Sequence, residues 1–354
     1  MSSTSWLKSF GARPRGARLE RIRQSPHFRN GQFVNALPTN MMAPGSWWPM
    51  FRHQFFGKEE RVPKRELPVI HQAASSYANE PASRLRATWM GHATTLVEID
   101  GKRVVTDPIW SDRCSPSQWI GPKRFFPPPI ALQELPKIDV AVVSHDHYDH
   151  LDMNTAQALA NNGTQFVVPL GVGAHLEAWG IAPTQIVELD WNETATVAEL
   201  RFTATPARHY SGRNPLFRDN TQWASWVVQG RAHNFFFSGD SGYFSGFKEI
   251  GTQYGPFDLS LIKIGACDVT WPDIHMTPEE AVQVHADIRG KLLLPVHWGT
   301  FNLAFHAWND PAERVLNAAI RAGAALVVPR PGELVEPTLV SAQDGRAPAD
   351  AWWR

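Results

Sequence analysis

The clearest regularity in the chain is a series of short apolar runs that begins near residue 85. Residues 94–99 and 140–143 have the length of strands and are rich in β-branched side chains. Residues 140–143 are apolar at every position, which predicts a strand buried on both faces. Turns are predicted at Gly91-His92 and at Asp100-Gly101. The predicted strands cover residues 85–89, 94–99, 103–106, 140–143, 166–169, 200–204, 224–228, 234–238, 259–264 and 292–296.

Helical patterns lie between these strands. Thr277 followed by Pro278 predicts a helix that reaches about residue 287, with Thr277 as its N-cap and Pro278 at the first helical position. Further helices are predicted over residues 153–161, 173–179 and 311–322. Both halves of this region combine strands with flanking helices. The pattern therefore predicts an α/β fold in which two sheets pack face to face between helical layers, a four-layered αββα sandwich.

The first 85 residues differ from the rest of the chain. They are rich in Arg, Pro, Trp and Phe and show only weak periodicity. We interpret residues 1–85 as an N-terminal extension that wraps a core domain of residues 86–354. Its aromatic residues Trp47, Trp48, Phe51, Phe55 and Phe56 stand among the basic residues Arg52, Lys58, Arg61, Lys64 and Arg65. Such a mixture suits contact with a membrane surface, or packing of the extension onto the core, and the pattern leaves both open.

Composition narrows the class of protein. Lys+Arg and Asp+Glu balance at 34 each among 354 residues, which argues against a dedicated nucleic-acid binder. No apolar run approaches the roughly 18 residues of a transmembrane helix, and residues 1–30 lack the apolar stretch of a secretory signal. We therefore expect a cytoplasmic protein, with peripheral contact at a membrane surface left open. Cys114 and Cys267 are interpreted as two reduced thiols, with one long-range disulfide as the alternative.

Candidate chemistry is concentrated directly after the buried strand at 140–143. Three histidines and several carboxylates follow within eight residues, in His145-Asp146-His147-Tyr148-Asp149-His150 and the residues just after it. Imidazole and carboxylate groups are the ligands that suit zinc and related metals. His145 and His147 point the same way if the loop is extended, and Asp149 and His150 can serve a second metal nearby. The alternative is a polar, partly exposed loop.

Three more candidate ligands stand at the ends of predicted strands: His209, Asp240 and His297. Taken singly, each has an ordinary alternative. His209 could be a surface histidine, Asp240 a turn residue and His297 a core histidine with its hydrogen bonds satisfied. The residues alone do not decide between these readings.

The order of these motifs resembles that of a known family. HxHxDH, a distant His, an Asp in Ser238-Gly239-Asp240-Ser241-Gly242 and a final His are similar to the metallo-β-lactamase fold family. Further stretches resemble the N-acylphosphatidylethanolamine-hydrolysing phospholipase D group within it: residues 90–94, 106–109, 115–124, 255–258, 278–281 and 297–301. The resemblance runs from about residue 85 to about residue 305.

The resemblance implies a centre that holds two divalent metal ions, mostly zinc, with iron or manganese as alternatives. It implies seven ligands: His145, His147, Asp149, His150, His209, Asp240 and His297. His145, His147 and His209 would hold one ion; Asp149, His150 and His297 would hold the other. Asp240 would bridge both ions.

The resemblance also implies roles around the metals. Asp240, Asp149 and His275 would be catalytic, and His275 would contact the substrate phosphate or protonate a leaving oxygen. Asp107 would accept the second N–H of a ligand histidine. His92 is expected to pack under the site, and Tyr148 to support the loop.

The resemblance implies a metal-dependent phosphodiesterase of the phospholipase D type. Its substrate would be N-acylphosphatidylethanolamine or a related phospholipid diester. No Gly-x-Ser-x-Gly elbow or phosphate-binding Gly-x-x-x-x-Gly-Lys loop offers another nucleophile or phosphate site. One alternative is a hydrolase of a lactone or of a phosphorylated small molecule. Another is a membrane-associated binding protein with a structural metal. No nucleic-acid partner is expected, and a homodimer is left open.

Overall fold

The computed structural model describes residues 5–214, 217–340 and 351–354. Strands are numbered along the chain as β1 (Phe28–Arg29), β2 (Gln32–Phe33), β3 (Leu85–Gly91), β4 (Thr94–Ile99), β5 (Lys102–Thr106), β6 (Val140–Val142), β7 (Gln165–Pro169), β8 (Ile186–Leu189), β9 (Thr194–Val197), β10 (Leu200–Thr205), β11 (Ser225–Gln229), β12 (Asn234–Phe237), β13 (Leu259–Lys263), β14 (Leu293–Val296) and β15 (Leu334–Val335).

Helices are numbered in the same way as α1 (Ser5–Lys8), α2 (Gly16–Gln24), α3 (Trp47–Phe56), α4 (Met153–Asn161), α5 (Gly173–Ala178), α6 (Gly246–Tyr254), α7 (Pro278–Asp287) and α8 (Asp310–Ala322). α7 begins with the predicted N-cap: the Thr277 side chain accepts a hydrogen bond from the Glu280 N–H, and Pro278 takes the first turn.

Two large sheets carry the fold. The first has the order β15-β3-β4-β5-β6-β7-β8, antiparallel from β15 to β5 and parallel from β5 to β8. The second has the order β14-β13-β12-β11-β10-β9, parallel from β14 to β12 and antiparallel from β12 to β9. β1 and β2 form a separate hairpin.

The strands divide their side chains between two apolar cores. Val140 and Val142 of β6 join the large core between the sheets, whereas Ala141 and Val143 join a second core that includes residues of α4 and α5. Each buried valine contributes on the order of 1.5–3 kcal/mol relative to an exposed one. The predicted burial of this strand on both faces is confirmed. On the second sheet, α7 packs against β13, and α8 packs against α7. These two helices form the helical layer of that sheet. The structure is therefore the layered αββα sandwich that was predicted.

Four elements of the core were not predicted: β8, β9, α6 and β15. β9 exposes two of its four residues, and β8 is only half-buried along most of its length. Such strands lack the continuous apolar run by which the others were found. No helix in the part of the chain that the structure describes is long and apolar enough to cross a membrane.

The N-terminal segment, described from residue 5, makes specific contacts with α5, β8 and the large core. The Arg18 guanidinium pairs with Glu177 at 2.7 Å and Glu188 at 2.6 Å. Ile22 and Phe33 are buried in the large core. The division of the chain at residue 85 stays a prediction.

A group of tryptophans closes the large core beside the end of β14. The ring of Trp298 stacks on Trp89, with centroids 5.4 Å apart and planes 8° apart. Trp352 lies 5.4 Å from Trp298 on another side, and Trp353 is fully buried. The last residues of the chain thus pack beside the turn that follows β14.

Candidate metal centre

One edge of the sandwich collects the predicted site residues. β3 and β5 are both antiparallel to β4, and β6 is parallel to β5, so the three strands run in the same direction. In the second sheet, β10, β12 and β14 share one direction for the same reason. The site residues follow the carboxyl ends of these strands, where ligand sites of α/β sheets are commonly found.

The first ligand group consists of His145, His147 and His209. Nε2 of His145 lies 2.8 Å from Nδ1 of His147, and Nε2 of His209 lies 3.4 Å from the same Nδ1 atom. Two ligand nitrogens on one tetrahedral zinc ion are roughly 3.3 Å apart. The spacing of the three nitrogens therefore fits the ligand shell of one metal ion.

The second ligand group contains Asp149, His150 and His297. Nε2 of His297 lies 3.1 Å from Nε2 of His150, and both nitrogens lie within 3.4 Å of Oδ2 of Asp149. His92 joins this group, because its Nε2 lies 3.0 Å from the same carboxylate oxygen. The sequence placed His92 under the site, and the structure adds that it touches a predicted ligand.

Asp240 lies between the two groups. Its Oδ2 is 3.4 Å from Nε2 of His150 and 3.8 Å from Nε2 of His209, and its Oδ1 is 3.2 Å from Nε2 of His297. One carboxylate thus faces ligands of both groups. The structure brings all seven predicted ligands into one cluster.

His275 stands at the edge of this cluster. Its Nδ1 lies 3.6 Å from Oδ2 of Asp240. That Nδ1 atom is buried and has no hydrogen-bond partner among the described residues. The neighbouring backbone is held on both sides, since Ile274 accepts a hydrogen bond from Nδ1 of His209 at 3.0 Å and the Met276 N–H donates to Ser241 at 2.9 Å. His275 therefore faces Asp240, one of the predicted metal ligands.

Asp107 makes the contact predicted for it. Its Oδ2 accepts a hydrogen bond from Nδ1 of His150 at 2.6 Å, which directs Nε2 of His150 toward Asp240. The Ser144 N–H and hydroxyl also donate to Asp107, each at 2.6 Å. The hydroxyl of Ser144 lies 2.9 Å from Nδ1 of His145. One buried carboxylate thus links the supports of both ligand groups.

The charge states of the buried groups suit a cation. Burial lowers the pKa of His145 well below its usual value and that of His209 to about 3, so both rings are neutral and can offer a lone pair. Burial opposes charge on His150 as well. Around it, however, the carboxylates of Asp149, Asp240 and Asp107 raise its pKa well above the usual value. The three carboxylates therefore leave a surplus of negative charge around His150. A bound cation can neutralise that charge in place of the proton.

Residues outside the predicted set hold the metal-binding loop. The buried Asp146 carboxylate accepts hydrogen bonds from the Gly212 N–H and from Thr221, at 2.9 and 3.0 Å. The Arg213 guanidinium donates to the carbonyl groups of Asp146 and Leu151. It also lies 4.1 Å from the centre of the Tyr148 ring. The expected support of the loop by Tyr148 therefore works through Arg213, which the sequence did not indicate.

Asn35 of the N-terminal extension also reaches the site. Its side chain accepts from the His209 N–H at 3.0 Å and donates to the His209 carbonyl at 2.7 Å. The two residues are 174 positions apart, and no motif in the sequence linked them.

Three site residues adopt the left-handed backbone region, which is uncommon for residues other than glycine. The φ angles are 51° for His92, 35° for Asp107 and 62° for His297. Each such residue costs on the order of 1–3 kcal/mol and persists only where the surrounding structure imposes it. The turns that carry the cluster are therefore held in place by their packing.

Gly239 shows how closely two of these turns approach. Its φ angle is 53°, and a Cβ atom at this position would lie 2.5 Å from Cβ of Ser144. Only glycine permits this approach, which sets Asp240 beside the loop that carries His145.

Comparison with known proteins agrees with this geometry. Residues 102–298 match the family model described as Beta-lactamase superfamily domain. An uncharacterised protein of Mycobacterium tuberculosis is 48% identical over 94% of this chain and 88% of its own length. The N-acyl-phosphatidylethanolamine-hydrolyzing phospholipase D 1 of Caenorhabditis elegans is 40% identical over 70% of this chain and 73% of its own length.

A solved structure supports the fold. Igni18, a metallo hydrolase from the archaeon Ignicoccus hospitalis, superposes with a TM-score of 0.56 at 24% identity, covering 71% of this chain and 97% of that protein. With the family match and the buried His/Asp cluster, the protein belongs to the β-lactamase superfamily domain family and is a metal-dependent hydrolase of the metallo-β-lactamase fold.

Proposed function

We propose that the protein is a phosphodiesterase of the phospholipase D type that acts on N-acylphosphatidylethanolamine or a related phospholipid diester. The observation that carries the proposal is the position of Asp240 between two groups of metal-ligand side chains. A pair of ligand groups that share one carboxylate is the arrangement expected for two neighbouring ions. The 40% identity to the nematode phospholipase D supports the choice of a phospholipid diester.

The proposed centre holds two divalent ions, mostly zinc. Bound there, they would supply a water of lowered pKa and positive charge for the phosphoryl oxygens. Asp240 would orient the attacking water, because its two oxygens face both ligand groups. Asp149 would add negative charge to the second group. In a hydrolysis of this type, water attacks phosphorus, the bond from phosphorus to the leaving oxygen breaks and the leaving oxygen takes up a proton.

His275 is the group of this chain best placed to serve the leaving oxygen or the phosphate. It borders the cluster next to Asp240, and it also lines a cavity of about 480 Å³. A substrate group in that cavity would be adjacent to the imidazole. His275 would hold a proton for the leaving oxygen or donate a hydrogen bond to the phosphoryl group.

The proposal is tested first by metal content. Elemental analysis of undialysed protein should give close to two ions per chain, mostly zinc, from the ligand groups described above. A reproducible value of zero to one in active protein would exclude the two-metal centre.

The reaction is tested by the fate of oxygen. Zinc-loaded protein is incubated with N-acylphosphatidylethanolamine in water enriched in oxygen-18, and the products are analysed by mass spectrometry. Attack at phosphorus with loss of the N-acylethanolamine should place the label in the phosphate of phosphatidic acid. Release of an N-acylethanolamine phosphate instead would show cleavage on the other side of phosphorus. Turnover of lactones or phosphorylated small molecules, with none of phospholipids, would replace the proposal by the alternative hydrolase.

A further inference from the structure

The aromatic residues of α3 lie on the surface of the protein. We call Trp47, Trp48, Phe51, Phe55 and Phe56 the aromatic face. Their exposed fractions range from 43% for Phe51 to 70% for Phe56, and no residue of α3 is buried. Packing of these aromatics onto the core, one of the two interpretations of the sequence, is therefore contradicted. An exposed apolar patch of this kind marks a surface that another partner covers.

The aromatic face is continuous. The rings of Trp48 and Phe51 are stacked at 5.8 Å, and Phe51 lies 4.7 Å from Phe55. Trp47, Phe51 and Phe55 recur every four residues, so they share one side of the helix. His53 lies on the opposite side, where its ring contacts Phe305 at 5.8 Å. The half-buried residues of the helix are Pro49, Met50 and His53, so the helix rests on these three residues and leaves its aromatic side exposed to solvent.

Hydrogen bonds attach the start of α3 to the segment that carries His275, and a cation–π contact attaches the residues after α3 to Phe305. The Ala43 N–H and the Ser46 hydroxyl both donate to the carbonyl of Thr270, at 2.7 and 3.2 Å. At the other end of the helix, the Arg61 guanidinium lies 4.9 Å from the centre of the Phe305 ring. These contacts fix both ends of α3 on the protein while its aromatic face stays exposed.

A cavity lies between α3 and the candidate metal centre. Its lining includes His53 of α3, Val269, Pro272, Phe305 and His275. Val269 is 79% exposed and adds an apolar side chain to this lining, which also contains the carboxylates of Glu59, Asp268, Glu280 and Asp310 and the guanidinium of Arg314. At its inner end, His275 contacts Asp240.

Positive charge accompanies the aromatic face. Arg52 within the helix and Lys58 just after it are exposed, and no described residue forms an ion pair with either. Lys64, by contrast, pairs with Glu60 at 2.8 Å. Aromatic rings settle at the headgroup level of a bilayer, and unpaired cations beside them are attracted to anionic lipid.

We propose that the aromatic face of α3 docks on an anionic phospholipid surface and turns the cavity that ends at His275 toward the lipid headgroups. The inference rests on the proposed function for the identity of the substrate, a phospholipid diester, but the docking itself can be measured without turnover. A peripheral helix of this kind lies in the plane of the interface with its apolar side buried among the headgroups.

The test measures sedimentation of the full chain with two kinds of vesicle, phosphatidylcholine alone and phosphatidylcholine mixed with phosphatidylglycerol. Wild type should bind the mixed vesicles more strongly, and binding should weaken as salt rises. The double variant Trp48→Ala/Phe55→Ala should bind at least about tenfold more weakly. Arg52→Gln and Lys58→Gln should each weaken binding about fivefold. Ile320→Ala, which shortens an exposed apolar side chain of α8, is the matched control and should bind as wild type.

Two further measurements separate the outcomes. Hydrolysis of the soluble diester bis(4-nitrophenyl) phosphate and the melting temperature should be unchanged in the aromatic variant, because the ring contacts of Trp48 and Phe55 within the described residues are with other members of the aromatic face. Vesicle binding without hydrolysis of any diester would uphold the docking and overturn the proposed function. Phospholipid hydrolysis in detergent without vesicle binding would uphold the proposed function and overturn the docking. Loss of a dimer in the aromatic variant, measured by light scattering, would show that a second copy covers this face and would overturn the proposal.

Discussion

The two ligand groups of the cluster lie side by side, yet they differ in charge. His145, His147 and His209 present only imidazole nitrogens, which burial keeps neutral in the case of His145 and His209. The group of His150 and His297 contains the Asp149 carboxylate and sits above the buried Asp107. An ion held by the second group therefore meets more negative charge. The difference implies that the two ions, if both bind, are held with unequal strength and with unequal dependence on pH.

The largest effect on hydrolysis should come from removing the carboxylate of Asp240, which faces both ligand groups. Asp240→Asn takes away the one carboxylate that faces both groups while preserving its shape. We expect hydrolysis to fall by at least about 10³-fold with the fold retained. Steady-state kinetics and circular dichroism check this. Activity above about half of wild type would show that Asp240 does not bridge two ions.

A residue outside both groups gives the next largest effect. His275→Ala should lower kcat by about 10²-fold, and elemental analysis should show unchanged metal content. His233→Ala is the matched control, because His233 pairs with Asp258 away from the cluster and its loss should leave kcat unchanged. If the His275 variant loses metal, that residue is a ligand and its proposed role is wrong.

The supports of the two groups can be compared directly. Asp107→Asn removes the charge that accepts the His150 N–H, and we expect metal affinity of the second group to fall about 10–100-fold. Ser144→Ala removes a neutral hydroxyl that lies near His145 and donates to Asp107, but it leaves the Asp107 carboxylate in place and should weaken the first group less. Competition with a chelator for each ion measures both. Equal losses of metal affinity in the two variants would show that the two ligand groups do not differ in their dependence on these supports.

The smallest expected effect is a difference in the number of protons released when an ion binds each ligand group. His150 has a raised pKa in the metal-free protein, so near neutral pH an ion must displace its proton, whereas His145 and His209 are already neutral. Binding to the second group should therefore release more protons and weaken more steeply as pH falls. Calorimetric titration in two buffers of different ionisation enthalpy measures the proton count for each ion.

Most of the core and the ligand cluster could be predicted from the sequence. The buried strands carry continuous apolar runs. Four of the seven predicted ligands lie in the HxHxDH loop that follows such a run, and the other three lie beyond the ends of predicted strands. The family resemblance then selected His209, Asp240 and His297 from their ordinary alternatives. These are properties of local sequence and of motif order.

The supporting contacts could not be predicted in the same way. Asn35 and Arg213 reach the site across long separations, and their neighbours in sequence carry no pattern that points there. His92 was expected to pack beneath the site, but its contact with Asp149 depends on a left-handed turn that only the folded chain displays. The helix α3 was not predicted, and the place of its aromatic residues was left open because such side chains occur both in protein cores and at membrane surfaces.

Tryptophans lie both beside β14 and on α3, and each group should report a different event through its fluorescence. Trp298 is buried, follows His297 directly and stacks on Trp89, so its fluorescence should respond when a quenching ion such as Co²⁺ enters the second ligand group. Trp47 and Trp48 are exposed on α3 and far more accessible to water, so their emission should shift to shorter wavelength when a lipid surface covers them. Occupation of the metal centre and arrival at a membrane can thus be followed in one cuvette without a label.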